Sequence, residues 1–450
     1  MNFSQLCDTI SAKLLVEWGG QGGTAMGPVP GPIHAAGLGP EPARDMIEFQ
    51  KRAIMGCEPE MGSMKMRIAQ IIASDHLSAE IPGWYDSPES AVFHENWGLA
   101  GMAEWFGPDY ADSGSAKIIG SRIYFLDRGC MKLMPQKISA DRREQLVRAL
   151  LLRTPEERLD KDRHEVYMSD GTRVTIFRGG LAKKGLDAII FRRYIIPDLT
   201  FEGQADRNTI PPHAIPLFEY MVACGYNVVF CGSVRSAKTT FLSTWQRYED
   251  PELEGVMVET DPEIPIHRLM PESPVIQLIA DGERLAGISK SLMRSDADYF
   301  ILAEARDGVA LDTAVRLARK GTRRMKMTFH AREPRAFAYD AAVEIVRDMG
   351  GDIQETALRV AGSFDYVFHF SSMRKDKVKK LTAIYEMGLS EDGEGVLMHE
   401  ICRYNRMSDH WKWTYHIGKD KRDIGQEEDA DAFAAFEICL KGLHDRSRLS

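Results

Sequence analysis

The spacing of hydrophobic residues along this 450-residue chain changes near residue 200 and divides the chain into two parts. In the first part, alternating apolar residues predict two antiparallel hairpins, SRIYFLDRGCMKLM with a DRG turn and HEVYMSDGTRVTIF with an Asp-Gly turn. Between the hairpins, Ser139 is placed to cap an amphipathic helix, ADRREQLVRALLL. This part is therefore predicted to be a small α+β domain.

In the second part, short apolar runs alternate with helical segments. The runs are YNVVF, GVMVE, YFILAE and MKMTF, followed by FDYVFHF, LTAIYEM and GVLMHEI. Buried strands separated by helices indicate a mainly parallel sheet that is covered on both faces, with the later strands extending it. The predicted fold class is α/β, with a smaller N-terminal α+β domain.

Composition sets the remaining boundaries. Residues 19–42 are rich in Gly and Pro and contain few large apolar side chains, which is typical of a flexible arm. We expect a Gly/Pro-rich arm over 1–45, a helical extension over 46–82, the α+β domain over 83–195, a hinge over 196–210, the α/β domain over 211–420 and a helical tail over 421–450. The basic run RKDKVKK, residues 374–380, is predicted to be a solvated hairpin turn.

Charge and composition exclude several classes of protein. A hydrophobic fraction of 44% is too high for a disordered chain, and a net charge of −9 gives no global basic signature for nucleic-acid binding. The chain has no apolar run of about 18 residues, and its first residues lack the pattern of a signal peptide. The seven cysteines show no CxxC pairs. We therefore expect a cytoplasmic protein with reduced thiols and no strong tendency to bind nucleic acid.

The most informative motif follows the run YNVVF directly. In CGSVRSAKTTFL, the spacing G-x-x-x-x-G-K-[ST] is kept except that Ala237 replaces the second glycine. In a strand–loop–helix, loop amides cradle phosphates, the lysine neutralises them and the hydroxyl holds Mg²⁺. The alternative is a turn before a helix that binds nothing. The residues assigned to ATP binding are Gly232, Ser233, Val234, Arg235, Ser236, Ala237, Lys238, Thr239 and Thr240, with Thr239 also a ligand of Mg²⁺.

Acidic residues and one histidine follow the next apolar runs. VMVETDPEI presents Glu259, Asp261 and Glu263, YFILAEARDG ends on Glu304, and MKMTFHA ends on His330. The carboxyl ends of parallel strands share one edge of a sheet, where α/β proteins bind ligands. Glu304 and Glu259 are therefore candidates to orient an attacking water, with Glu304 also a second-shell Mg²⁺ ligand, and His330 is a candidate sensor of the γ-phosphate. The alternatives are a solvated acidic loop and a packing histidine.

The order of these four elements resembles the type II/type IV secretion and pilus assembly ATPases, which have a RecA-like domain. The resemblance covers about residues 95–418 and is closest to the tight-adherence pilus branch and its type IV secretion relatives. It is carried by the segments RSDADYFILAEARDGVALD and GTRRMKMTFHA, with Arg294, Asp298, Glu304, Arg306, Gly321, Thr328, His330 and Ala331 in the family's positions.

The resemblance implies further roles and partners. Arg173 in DGTRV and Arg192 in IIFRRY match the family's N-domain arginines that reach the nucleotide, and Glu263 and Arg306 join the nucleotide site. The active form would be a homo-hexamer that works with an inner-membrane platform protein. It would be cytoplasmic, with a peripheral position at the inner face of the cell membrane as an alternative. ATP-driven domain closure would then power substrate export or pilus assembly.

Several positions depart from the family pattern. Ala237 and Ala303 stand where the family has glycine, Thr322 replaces the first histidine of its His box, and Arg324-Met325 replaces a Gly-Ser pair. These departures favour slow turnover. They also support an alternative function, a weakly hydrolysing or non-hydrolysing assembly subunit of the same machine. A nucleic-acid translocase is a lesser alternative because the chain is acidic.

Overall fold

The protein is described here by a computed structural model. It describes residues 1–19, 48–49, 51–54, 56–127, 129–151, 161–168, 170–193, 200–373 and 378–449. The chain forms two compact units, Met1–Ile195 and Ile196–Ser450. Residues 20–45 of the predicted arm, residues 46–47 of the predicted helical extension, residues 196–199 of the predicted hinge and residues 374–377 of the basic run lie outside the described residues.

The first unit contains a six-stranded antiparallel sheet. Its strands are β1 (Ser115–Ile119), β2 (Arg122–Asp127), β3 (Cys130–Lys137), β4 (Arg163–Tyr167), β5 (Arg173–Phe177) and β6 (Ala188–Arg192), in the order β3-β2-β1-β6-β5-β4. Both predicted hairpins are present, because β2 pairs with β3 and β4 pairs with β5. The predicted helix between them spans Ala140–Leu151, and Ser139 Oγ accepts a hydrogen bond from the amide of Arg142 at 3.1 Å.

Helices precede this sheet. They are α1 (Phe3–Gly19), α2 (Glu58–Ser74) and α3 (Pro88–Asn96); the helix Ala140–Leu151 is α4. Leu6, Ile10 and Leu14 of α1 are buried in one cluster with residues of α2 and α3. The assignment of residues 1–45 to a flexible arm is therefore wrong for residues 3–19, where apolar residues at helical spacing bury one face of α1.

The second unit contains a nine-stranded sheet. Its strands are β7 (Val228–Gly232), β8 (Gly255–Glu259), β9 (Val275–Ile279), β10 (Tyr299–Ala303), β11 (Lys326–Phe329), β12 (Tyr366–Ser372), β13 (Lys379–Leu389), β14 (Val396–Asn405) and β15 (His410–Trp413). The order is β15-β14-β13-β12-β7-β11-β10-β8-β9, parallel from β12 to β9 and antiparallel from β12 to β15. The predicted α/β class, with a smaller N-terminal α+β unit, is confirmed.

Helices cover both faces of this sheet. They are α5 (Phe201–Asp206), α6 (Ile215–Ala223), α7 (Lys238–Arg247), α8 (Ile266–Leu269), α9 (Gly282–Leu292), α10 (Gly308–Arg319), α11 (Phe337–Met349), α12 (Ile353–Ala361), α13 (Lys419–Glu428) and α14 (Ala430–Leu449). Shorter 3-10 helices span Ala100–Phe106, Pro108–Tyr110, Gly179–Leu181, Pro212–Ala214 and Pro334–Ala336. Two buried clusters, one on each face, pack the sheet against these helices. No helix of the described residues is both long and apolar enough to cross a membrane.

The last two helices belong to the core of the second unit. Phe433, Phe436, Leu440 and Leu443 of α14 are buried against the same apolar cluster as β7 and α6. Most of the predicted helical tail, 421–450, lies in α13 and α14, but to describe these helices as a tail is wrong, since removing them would expose that cluster to water.

Candidate functional site

The loop between β7 and α7 holds backbone in left-handed conformations. Arg235 has φ +60° and Ala237 has φ +85°. Gly232 has φ +143°, and a Cβ at this position would lie 2.1 Å from the carbonyl oxygen of Phe370. Glycine is therefore required at position 232, because its φ is unfavourable for other residues and a side chain would clash with the backbone of Phe370. This tight path turns the loop from the carboxyl end of β7 into the first turn of α7.

The first turn of α7 is open to an anion. Ala237, at the N-cap, has no side chain that accepts from the first-turn amides. Ser236 is fully buried in the loop, and its Oγ makes no hydrogen bond within the described part of the protein. Unpaired amides at a helix N-terminus and a buried hydroxyl without an acceptor fit a bound phosphate group.

Lys238 begins α7 and is buried inside the loop that it follows. Its Nζ donates to the carbonyl oxygen of Ser233 at 2.9 Å and lies 3.5 Å from Nδ1 of His330. Burial lowers the pKa of Lys238 to about 8, although the charge of Glu304 opposes this effect. The ammonium therefore lies where a negative ligand would restore its usual pKa.

Glu304 follows β10, and its carboxylate is held by basic neighbours. Oε1 lies 3.4 Å from Nε2 of His330 and forms an ion pair with Arg306. Burial raises the pKa of Glu304, but hydrogen bonds from His330 and Arg306 outweigh it and hold this pKa below its ordinary value. Glu304 is thus an ionised acceptor. Its backbone has φ +68°, and its amide donates to Thr328 Oγ1 at 2.8 Å.

The carboxylate of Glu304 belongs to a cluster of three. One carboxylate oxygen from each of Asp261, Glu263 and Glu304 lies within 4.8 Å of the others. Hard divalent cations prefer oxygen ligands of this kind, so the donor set fits Mg²⁺. The sequence pattern places Asp261 in the VETDPEI segment but does not assign it to the site. Its position two residues beyond a buried strand is the signal that could have assigned it.

Glu259 occupies a different place from the one expected of a water-orienting group. It is buried at the end of β8, and its Oε1 accepts from the amides of Glu263 at 3.1 Å and Ile264 at 2.9 Å. Burial raises the pKa of Glu259 to about 8. In this structure the carboxyl group shapes the loop that presents Asp261 and Glu263.

The structure brings together most of the predicted second-unit residues. Gly232 to Thr240, Glu263, Glu304, Arg306 and His330 lie at the carboxyl ends of β7, β8, β10 and β11 or in the segments that follow them. Thr239 and Thr240 lie in the first turn of α7. The sequence prediction that these motifs share one edge of a parallel sheet is consistent with the strand order.

Arg173 and Arg192 belong to the first unit, where they lie opposite each other on β5 and β6. Arg173 Nε donates to Glu165 Oε1 at 2.8 Å, while Arg192 is exposed. Two cations directly opposite each other repel, which is tolerated here because Glu165 compensates one of them.

The glycine that the motif lacks at Ala237 leads to a first prediction. An alanine in the left-handed region costs roughly 1–2 kcal/mol, and glycine adopts it freely at the cost of more freedom in the unfolded chain. Ala237→Gly should therefore raise the free energy of unfolding by about 0.5–1 kcal/mol and raise any ATP turnover, because the loop can settle around the phosphates. Urea unfolding and phosphate release measure the two effects.

Ala303→Gly is the matched control for this substitution. Ala303 is buried in β10 and does not have a positive φ, so glycine there should lower stability by about 0.5–1 kcal/mol. A lower stability of Ala237→Gly, similar to that of the control, would show that the loop is not strained at Ala237.

The chain matches no protein-family description and no curated protein. Among solved structures it is similar to the VirB11 ATPase of the Brucella suis type IV secretion system, with 15% identity, 63% of this chain and 92% of that chain covered, and a TM-score of 0.34. It is also similar to the Legionella pneumophila ATPase DotB, with 13% identity, 76% and 87% coverage and a TM-score of 0.45.

A third similar structure is the pilus retraction motor PilT with bound ADP, with 14% identity, 72% of this chain and 86% of that chain covered, and a TM-score of 0.42. These similar structures are thus an ATPase of a type IV secretion system, a second ATPase and a pilus retraction motor.

Proposed function

We propose that this chain binds Mg-ATP at the loop 232–240 and hydrolyses it, as the motor of a secretion or type IV pilus-like machine. The observation that carries the proposal is the position of Lys238. Its buried ammonium lies between an open phosphate loop and the pair formed by His330 and Glu304. A lysine that neutralises phosphate and an ionised acid close to it are what phosphoryl transfer to water requires.

In the proposed reaction, Lys238 and the loop amides hold the β- and γ-phosphates. Water attacks the γ-phosphorus, the bond to the bridging oxygen of ADP breaks, and the proton of the water moves toward the carboxylate of Glu304. Mg²⁺ would neutralise charge on the phosphates, with oxygens of Thr239, Asp261 and Glu263 as the donors that fit it. Glu304 would act on it from the second shell.

The remaining residues have supporting roles in this proposal. Arg306 holds Glu304 as an anion, and Glu259 fixes the loop that carries Asp261 and Glu263. His330 would report the γ-phosphate because its two ring nitrogens face Lys238 and Glu304. Arg173 and Arg192 keep their proposed role as γ-phosphate contacts.

The assembly proposed for the chain follows the resemblance of its motifs. We propose a homo-hexamer that works in the cytoplasm, or at the inner face of the cell membrane, with an inner-membrane platform protein. Light scattering of the purified protein with Mg-ATP measures the mass that tests the hexamer. A mass that stays at one chain at every concentration would contradict it.

The second candidate function is a nucleotide-binding subunit that does not turn over. The observation in its favour is the left-handed backbone at Arg235 and Ala237, which non-glycine residues adopt only at a cost. Phosphate release separates the two functions, since both bind ATP and only the motor hydrolyses it.

The pH dependence of ATP affinity tests the site itself. Because the free protein holds the pKa of Lys238 near 8, its ammonium is charged below this pH and loses its proton above it, whereas bound phosphates keep the proton in place. The dissociation constant for ATP should therefore be nearly constant between pH 7 and 7.5. Above pH 8 it should rise, approaching about tenfold per pH unit. Calorimetry also measures the accompanying proton uptake.

Lys238→Arg is the control for this experiment. A guanidinium stays protonated throughout the range, so any affinity that the variant retains should not change with pH between 7 and 9. A flat profile in the unmodified protein would show that Lys238 does not contact the ligand, and an absence of ATP binding at every pH would contradict the nucleotide proposal.

A further inference from the structure

A row of hydrogen-bonded residues fixes what lies beside the phosphate loop. Gly232 of β7 pairs with Phe370 of β12, Phe370 pairs with Leu381 of β13, and the Leu381 amide donates to the carbonyl oxygen of Thr209 at 2.8 Å. These four residues cross the sheet at one level, which is the level where β7 ends and the loop begins. Because β12 runs parallel to β7, the residues that follow Phe370 lie at the same end of the sheet as the phosphate loop.

Three cations lie around this end of the sheet. Lys379 pairs with Ser372, two residues past Phe370, which places it about 6–7 Å beyond the row at the rise of a strand. Arg235 is exposed on the loop itself, and Arg207 follows α5 two residues before Thr209. Partial burial lowers the pKa of Lys379, and the nearby charges of Arg207 and Arg235 lower it further. The three cations are close enough to repel one another.

Neighbouring cations are compensated in a way that these three are not. Lys380, which follows Lys379 directly, pairs with Asp409 at 3.0 Å. In the part of the chain that the structure describes, Arg207, Arg235 and Lys379 have no acidic partner in an ion pair. A group of three uncompensated cations in an acidic protein is stabilised when an anion binds between them.

The charges are divided across the sheet. Asp261, Glu263 and Glu304 follow β8 and β10, whereas Lys379 and Arg207 lie at β13, and β7 with its loop stands between the two groups. The acidic side is where the γ-phosphate and Mg²⁺ belong in the proposed reaction. The cationic side is therefore left for the inner part of the phosphate chain.

We infer that Arg235, Lys379 and Arg207 form a cationic rim that binds the α- and β-phosphates of the nucleotide, with the Arg235 guanidinium as the principal contact. This inference rests on the proposed function, because it assumes a nucleotide in the loop. Arg235 is three residues from Lys238 in the sequence, so a phosphate cradled by the loop amides lies within reach of its side chain. A guanidinium can donate two parallel hydrogen bonds to one phosphate.

The rim explains how the loop holds phosphates with only one of its usual glycines. Arg235 occupies a left-handed position, φ +60°, which non-glycine residues adopt only at a cost. A glycine there would relax the backbone but would supply no charge. In this protein the side chain at that position therefore adds an electrostatic contact to the amides of the loop.

Binding of ATP, ADP and inorganic tripolyphosphate to Arg235→Gly, Lys379→Gln and the unmodified protein tests this inference. Arg235→Gly should lower the affinity for each of the three ligands by about tenfold, the usual scale for a hydrogen-bonded charge. Lys379→Gln should lower it by about threefold. The affinity of both variants should also fall less steeply with added salt. Arg235→Gly relieves the left-handed position, so its melting temperature should be equal or higher, which separates lost contact from lost folding.

Arg319→Gln is the matched control, since Arg319 is exposed at the end of α10, at the opposite end of the parallel strands. It should leave the three affinities unchanged. Unchanged affinities in Arg235→Gly and Lys379→Gln, with ATP bound normally, would overturn the rim alone. Weaker binding of ATP with unchanged binding of ADP would overturn the placement of the rim on the α- and β-phosphates. An unmodified protein that binds no nucleotide would overturn both the rim and the proposed function.

Discussion

Glu304→Gln should reduce ATP turnover by at least about 100-fold while leaving the dissociation constant for Mg-ATP within about threefold of its original value. The reason is that Glu304 is an ionised acceptor, held by Arg306 and His330 at the edge of the anion site. An amide keeps the shape of the side chain but cannot take up a proton from the attacking water. Steady-state phosphate release and calorimetry measure the two quantities.

Glu391→Gln is the control for this substitution. Glu391 lies exposed in the turn between β13 and β14, and its replacement by glutamine removes the same charge. Its turnover should equal that of the unmodified protein. Equal phosphate release by the unmodified protein and Glu304→Gln, both above background, would remove Glu304 from the reaction. A rate at background in both would favour the non-hydrolysing subunit instead.

The second large effect concerns stability. Lys326 is completely buried at the start of β11, with its Nζ 2.5 Å from Glu249 Oε2 and 4.3 Å from the centre of the Tyr299 ring. Arg324 forms an ion pair with the same carboxylate and donates to the carbonyl oxygens of Val222 and Ala223 at the end of α6. Glu249 therefore compensates two cations that are largely removed from water.

Glu249→Ala should lower the free energy of unfolding of the second unit by about 3–5 kcal/mol, because it leaves a buried ammonium without a counterion. Urea unfolding followed by circular dichroism measures it. The double variant Glu249→Leu with Lys326→Met should recover most of the loss, since neither charge is then buried alone. A free energy of unfolding for Glu249→Ala within about 1 kcal/mol of that of the original protein would contradict this explanation of the ion pair. A double variant as unstable as the single one would also contradict it.

Arg324 shows what could not be predicted from the sequence. It stands where the family pattern has a small residue, and this departure suggested a loss of function. The structure gives it φ +59° and places its guanidinium between Glu249 and Glu428, with Glu249 75 positions away in the sequence. A partner at that separation leaves no local pattern, so only the folded chain reveals the structural role of Arg324.

The strands and the loop could be predicted because their signals are local. The runs that became β7, β8, β10 and β11 are continuous and apolar, as buried parallel strands require, and each ends at a charged or glycine-containing segment. β9 was missed because it lies at the edge of the sheet and several of its side chains are exposed. Its short sequence therefore lacks a clear hydrophobic pattern.

Backbone strain at the site was also hidden from the sequence. Ala237 and Glu304 both have positive φ, a conformation that a sequence signals only when glycine or asparagine occupies the position. The sequence shows the departure at Ala237 only as a missing glycine, which favours slow turnover. The structure instead attributes its cost to the backbone conformation of Ala237 itself.

Calorimetric titration of Mg-ATP into the unmodified protein and Lys238→Ala tests whether Lys238 and its loop form an ATP site. Lys238 is the buried cation inside the loop, so the variant should lose at least about 100-fold in affinity, on the scale of a charged hydrogen bond to phosphate in a partly desolvated site. Its melting temperature without ligand should stay the same or rise, because burial disfavours the free ammonium. Saturable binding to the unmodified protein that disappears in Lys238→Ala is the predicted result, and equal affinity in the two proteins, or no binding to either, would contradict it.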